Sequence, residues 1–96
     1  MNLGELQDEI NARWGSAAYK PGVQHADHAV LHLMKALGKI SASVEQASHI
    51  NGEEIDVRKQ VADLVICSVR LASLLGYDLQ TDVEKRLAEK FPVPQE

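Results

Sequence analysis

Apolar residues at alternating steps of three and four run unbroken through residues 23–47: Val23, Ala26, Val30, Leu33, Leu37, Ile40, Val44 and Ala47. That period places all of them on one stripe of a single helix about 37 Å long, at ~1.5 Å rise per residue. A second stripe of the same segment carries His28, His32, Lys35 and Lys39, at steps of four, three and four. The first stripe predicts the core. The second supplies the polar groups from which a function would be built.

The remaining segments read as three shorter helices. Asn2 followed three residues later by Glu5 is a capping-box pattern, and Leu3, Leu6, Ile10 and Trp14 form an apolar face closed by Gly15. Residues 16–22, with Tyr19, Lys20 and the Pro21–Gly22 pair, read as a loop. The long helix is expected to end near His49, with a turn at Asn51–Gly52 and a cap from Asn51 with Glu54. The third helix carries Val57, Val61, Leu64, Ser68, Leu71 and Leu75 on one seam. Ala62, Val65, Val69 and Ala72 make a second, so it must be covered on two sides. Gly76 suits a left-handed cap on which Tyr77 packs back. A last helix begins after Asp78 or Thr81, is expected to bury Leu79, Val83, Leu87 and Phe91, and stops before Pro92. No strand-like alternation appears. The prediction is an all-α, antiparallel four-helix bundle.

One domain is expected over residues 1–92, with a tail at 93–96. A chain of 96 residues buries only roughly 60–65% of its unfolded surface, so self-association as a dimer or tetramer is expected to complete the core. A net charge of -4 with scattered Lys and Arg argues against a nucleic-acid partner. The apolar run at residues 64–75 is interrupted by Ser68, Arg70 and Ser73 and is too short to span a bilayer, so no membrane partner is expected. No basic stretch follows Met1, and the single cysteine, Cys67, fits a reducing compartment; the expected location is the cytoplasm.

Asp63 is the sharpest local clue. It is ionisable and sits inside the apolar run of residues 61–65, where an unpaired buried charge would cost several kcal/mol. An exposed position beside Lys59, worth only ~0.3 kcal/mol, is the plain alternative. The line Gln60-Val-Ala-Asp63-Leu-Val-Ile-Cys-Ser-Val-Arg-Leu-Ala-Ser-Leu-Leu-Gly76-Tyr-Asp78-Leu, and the Lys-Phe-Pro close at Lys90, Phe91 and Pro92, resemble the MazG-like all-α nucleoside triphosphate pyrophosphatases. Residues 31–45 and 57–92 share that family's helix order and lengths.

The resemblance implies two carboxylate pairs on facing helices that cage Mg²⁺, which takes the triphosphate and activates water. Laid on that pattern, the first pair falls on Ala36 and Lys39 and the second on Gln60 and Asp63. Lys35 stands where a further acid is common, and the Asn often found in the last helix is replaced near Leu87. Only Asp63 keeps its carboxylate, and a lysine ammonium beside it repels a cation. No catalytic residue is assigned, no metal ligand and no cofactor is expected, and Lys39 is expected to pair with Asp63 in the metal's place.

The reading is therefore a degenerate MazG-like nucleotide pyrophosphohydrolase-family protein without the usual Mg²⁺-dependent hydrolysis. It would retain nucleotide or phosphate binding through His28, His32, Lys35 and Lys39, with Trp14 and Tyr19 available to stack on a base. One alternative is an active pyrophosphatase, taking a nucleoside triphosphate to monophosphate and pyrophosphate with ligands relocated to Asp63, Glu45, His49, Glu53 or Glu54. Another is a helical oligomerisation or interaction module. His25, His28 and His32 also have the spacing of zinc or nickel ligands, although a solvated or interface-lining face is the commoner fate of such residues. Cys67 reads as a buried, inert thiol, and Arg70 as an edge or interface residue.

Overall fold

The helix that organises the molecule is the third one. A computed structural model describes residues 1–14, 25–49 and 55–94, and among these the elements are α1 (Leu3–Trp14), α2 (His25–His49), α3 (Arg58–Leu74) and α4 (Leu79–Lys90), with no strand. α2 packs along α3 and meets α1 through the Trp14 ring, whereas α1 and α4 pack on α3 and on each other. α3 is thus packed against on two sides, but not along the whole of either expected seam: Val61 and Leu75 of the first stay 49% exposed and Val65 of the second 45%. The expected loop with Tyr19, the stop at Gly15, the seam residue Val23 and the Asn51–Gly52 turn lie outside the described residues.

Local chemistry sets the helix ends. The Asn2 side-chain carbonyl accepts from the Glu5 backbone N–H at 2.8 Å, satisfying one of the amides that a helix start leaves unpaired. Asp78 caps α4, accepting from the Thr81 N–H at 3.2 Å and from its hydroxyl at 3.0 Å. Gly76, at φ 76°, ends α3: its N–H donates to the Ser73 carbonyl and the Tyr77 N–H donates to that of Ala72. That is the paired closure which a left-handed residue permits. α3 starts at Arg58, four residues past Glu54, and Asp56 accepts from the Arg58 N–H at 3.3 Å.

The long seam of α2 is rotated from the expected one. The residues that turn inward are Ala26, Ala29, Leu33, Ala36, Ile40, Ser43 and Ala47, again at steps of three and four. Ala29 and Ala36 are buried, while Val30, Leu37 and Val44 remain 40%, 58% and 44% exposed. Small side chains face α3 and let the two backbones approach, which leaves the larger residues on the flank. The inward set and the expected set share Ala26, Leu33, Ile40 and Ala47. α3 turns Ile66 and Cys67 toward α2, while Leu64 and Val69 line a hollow with Leu3 of α1 and Leu79 and Val83 of α4.

A Gln7 bridge ties α1 to the α3–α4 corner. Its amide nitrogen donates to Ser73 Oγ and to the Tyr77 carbonyl, both at 2.9 Å, and its oxygen accepts from the Leu79 N–H at 3.3 Å. Gln80 Oε1 accepts from the Gly4 N–H at 2.9 Å.

α4 differs from expectation. None of its residues is buried, and Val83, Leu87 and Phe91 are exposed. The chain bends by 111° between α3 and α4, so α4 splays from the stack instead of closing an antiparallel bundle over its own apolar face. The radius of gyration is 16.7 Å, against about 12–13 Å for a compact chain of this length. The exposed surface is 7605 Å², against about 5,500 Å² for a compact monomer of this mass. Among the described residues no single helix is long and apolar enough to cross a membrane.

Candidate functional site

Where α2 runs beside α3, a cleft of about 290 Å³ opens between them, walled by Trp14, His32, Lys35, Ala36, Lys39, Asp63, Ile66 and Cys67. Three helices build it. On α2, His32, Lys35, Ala36 and Lys39 share one face because three- and four-residue steps stack side chains. On α3, Asp63 and Cys67 are one turn apart and Ile66 lies between them. Trp14, the last residue of α1, closes one end.

Trp14 is fixed from two directions. Its ring meets that of His32 edge-on, with centroids 6.0 Å apart and planes at 87°. The Arg70 guanidinium lies over the Trp14 ring, 6.0 Å from its centroid. Arg70 is buried and donates to Asn11 Oδ1 at 3.1 Å, so it stands in the α1–α3 contact and not at an exposed edge. A guanidinium against an aromatic ring gains from the ring quadrupole, and here one of its nitrogens also donates to Asn11. Arg70 therefore holds Trp14 in place from behind the cleft, a role its sequence position inside an apolar run did not reveal.

Four of the six phosphate- or nucleotide-binding candidates come together here: Trp14, His32, Lys35 and Lys39. His28 reaches the same region through His32, its Nε2 3.1 Å from that of its neighbour. Tyr19 lies outside the described residues. Of the four positions matched to the metal cage, Ala36, Lys39 and Asp63 wall the cleft, while Gln60 lines a separate surface hollow with Asp56, Arg58 and Lys59. Glu45 is exposed on α2 and forms no part of the cleft lining. Glu53, Glu54 and the His49 side chain lie outside the described residues.

Lys39 and Asp63 face the same space, but no ion pair joins them among the described residues. Asp63 is solvent-exposed, so its charge is carried by water and not by a buried partner. The expected direct pair is absent because both side chains have solvent to satisfy them, and an exposed pair gains little.

The donor set does not fit Mg²⁺. The cleft offers one carboxylate, with a buried alanine methyl at Ala36 and two ammonium groups where the cage would need oxygen. Mg²⁺ demands an oxygen octahedron and yields its waters reluctantly. With His32 neutral, two lysines against one aspartate leave the cleft with positive charge, which suits an oxyanion.

Ile66 and Cys67 were not among the expected site residues, although Cys67 follows Asp63 by one helical turn. Cys67 is buried, and its thiol pKa is pushed up from 9.0, first by burial and then by the Asp63 charge. It stays a neutral thiol at physiological pH and is no nucleophile.

A second, mostly apolar hollow of about 490 Å³ adjoins the cleft. It is walled by Met1, Leu6, Glu9, Ile10, Arg13, Trp14 and Ile66, so Trp14 and Ile66 are common to both cavities.

Comparison with protein-family models, curated proteins and solved structures finds no match for the chain.

Proposed function

We propose that this protein is a degenerate MazG-like nucleotide binder that holds phosphate with side chains and does not carry out Mg²⁺-dependent triphosphate hydrolysis. The observation that carries the reading is the convergence of His32, Lys35 and Lys39 in one cleft with Trp14 at its end. Charged donors directed at phosphate oxygens make the strongest hydrogen bonds available to such a site. The cleft is the size of a phosphate chain, and the apolar hollow beyond Trp14 and Ile66 suits a base or another flat, poorly hydrated group. A nucleoside phosphate has both parts.

Trp14 is the chain's only tryptophan, so its fluorescence reads the site directly. Titration of ATP in EDTA should change that fluorescence saturably, and binding should weaken as salt rises. No pyrophosphate should be released with Mg²⁺ or Mn²⁺. Turnover would establish the relocated-ligand hydrolase instead, and an unchanged signal up to millimolar nucleotide would remove the binding reading.

A second reading, self-association, is favoured by a separate observation. The chain exposes about 2,000 Å² more surface than a compact monomer of its mass, and the excess includes large apolar side chains: Leu31, Met34 and Leu37 on α2, and Leu87 and Phe91 on α4. An extra area of that size is comparable to what one partner buries in an intimate dimer. The proposed occupant of these faces is a second copy of the chain. Sedimentation should give a dimer or tetramer, and Leu37→Asp should shift it toward monomer. A monomer at 100 μM would end this reading.

A further inference from the structure

His28 and His32 stand one turn apart on α2 with their Nε2 atoms 3.1 Å from each other. Their ring centroids are 4.5 Å apart and their planes meet at 81°. With two neutral rings, one Nε2–H donates and the other nitrogen accepts. The same separation suits a different occupant. Two imidazole nitrogens on one ion, each at about 2.0–2.1 Å, stand roughly 2.9 Å apart across a right angle and roughly 3.4 Å apart across a tetrahedral one. The observed distance falls between the two.

We propose that His28 and His32 form a two-point binding site for a late first-row transition ion of the Zn²⁺, Ni²⁺ or Cu²⁺ class, held through both Nε2 atoms. Imidazole selects these ions and leaves Mg²⁺ aside. Both rings are half-buried, and Trp14 braces His32 edge-on, so little side-chain freedom remains to be lost on binding. On metal binding each ring keeps one proton, on Nδ1, and offers the Nε2 lone pair. The ring that had donated changes tautomer through solvent, and two neutral rings release no net proton.

The His25 side chain lies outside the described residues, and the described side chains bring no third His, Cys, Asp or Glu into coordinating range. Water or an anion's oxygen completes the ion's shell, and Lys35, one turn beyond His32, opposes its charge. Affinity is therefore moderate, and the pair acts as a bidentate anchor instead of a closed structural site. This proposal stands on the histidine geometry alone and does not depend on nucleotide binding.

The test uses the full chain, stripped with chelator and titrated with Zn²⁺ alone by calorimetry, with Cu²⁺ electron paramagnetic resonance counting the bound nitrogens. One ion per chain is expected, with two imidazole nitrogens in the copper spectrum. His28→Gln and His32→Gln should each weaken binding at least tenfold while far-UV circular dichroism stays unchanged. His49→Gln, about 25 Å further along the helix at ~1.5 Å per residue, should leave binding intact. Wild-type affinity in the His28→Gln/His32→Gln double variant, or an equal loss in His49→Gln, would overturn the assignment. Because no nucleotide is present, either result leaves the phosphate reading to be judged on its own titration.

Discussion

Lys39 on α2 and Asp63 on α3 wall the same cleft from opposite helices without forming an ion pair. The ammonium is therefore not neutralised by direct contact, and with Lys35 it outweighs the carboxylate across the opening. Charge in the cleft should then control ligand affinity in a sign-dependent way. Lys35→Ala and Lys39→Ala are each expected to weaken ATP binding about three- to tenfold, from the loss of a charge-assisted hydrogen bond worth roughly 1.5–3 kcal/mol in a dry site and less in this open one. Asp63→Asn should tighten it. Trp14 fluorescence titrations in EDTA measure all three, and a tighter Lys39→Ala would refute the charge argument.

Restoring acid at the matched positions should reverse the preference. Lys35→Glu with Lys39→Glu gives three carboxylates with Asp63 around the one cleft, enough to begin an oxygen shell for a hard cation. Calorimetry should detect Mg²⁺ or Mn²⁺ binding by the double variant and not by the parent. Strong Mg²⁺ binding by the unaltered protein would contradict the degenerate-site reading.

Cys67 provides a pH signature. Its thiol is protonated more tightly in the folded chain than its ordinary 9.0, through burial and then Asp63. The folded state thus binds the proton better than the unfolded one. Its contribution to stability is complete below about pH 9 and falls as pH rises through the folded value. Chemical denaturation between pH 8 and 10.5 should show a decline that Cys67→Ala lessens. Asp63→Asn removes one of the two causes, so the thiol's alkylation rate at pH 8.5 should rise about twofold or more. An unchanged rate would show that the Asp63 charge does not reach the sulfur.

Gln7 joins three partners at the α3–α4 corner, and no other side chain holds α1 there through so many hydrogen bonds among the described residues. Gln7→Ala leaves the Leu79 N–H and the Tyr77 carbonyl without their partner. The expected cost is about 1–3 kcal/mol, reduced by the solvent that reaches the site. Urea denaturation checks it. Gly76→Ala should cost about 1–2 kcal/mol by a different route, because a Cβ at φ 76° is strained even though open space surrounds it. A neutral Gly76→Ala would mean that the corner relaxes.

Helix number, helix type and most helix ends were legible in the residue order. Asn2, Asp78 and Gly76 act through atoms within a few residues, so their chemistry does not wait for the rest of the molecule. The periodicity of α2 was equally local, but it admitted two overlapping stripes that share Ala26, Leu33, Ile40 and Ala47. Which stripe turns inward depends on what meets it. α3 presents Ile66 and Cys67, and small residues at Ala29 and Ala36 allow the closest approach; no pattern within α2 alone could select between them.

The same division holds for the cleft. The spacing of His32, Lys35 and Lys39 put them on one face, and Asp63 stood out as a charge in an apolar run. The sequence could not bring Trp14 to the end of that face or place Arg70 behind it, since these residues are far apart along the chain and meet only where α1 crosses α3. Nor could it foresee that α4 would splay and leave Leu87 and Phe91 in solvent: an amphipathic pattern specifies that a face is apolar, while only the packing of whole helices decides whether this chain or another one covers it.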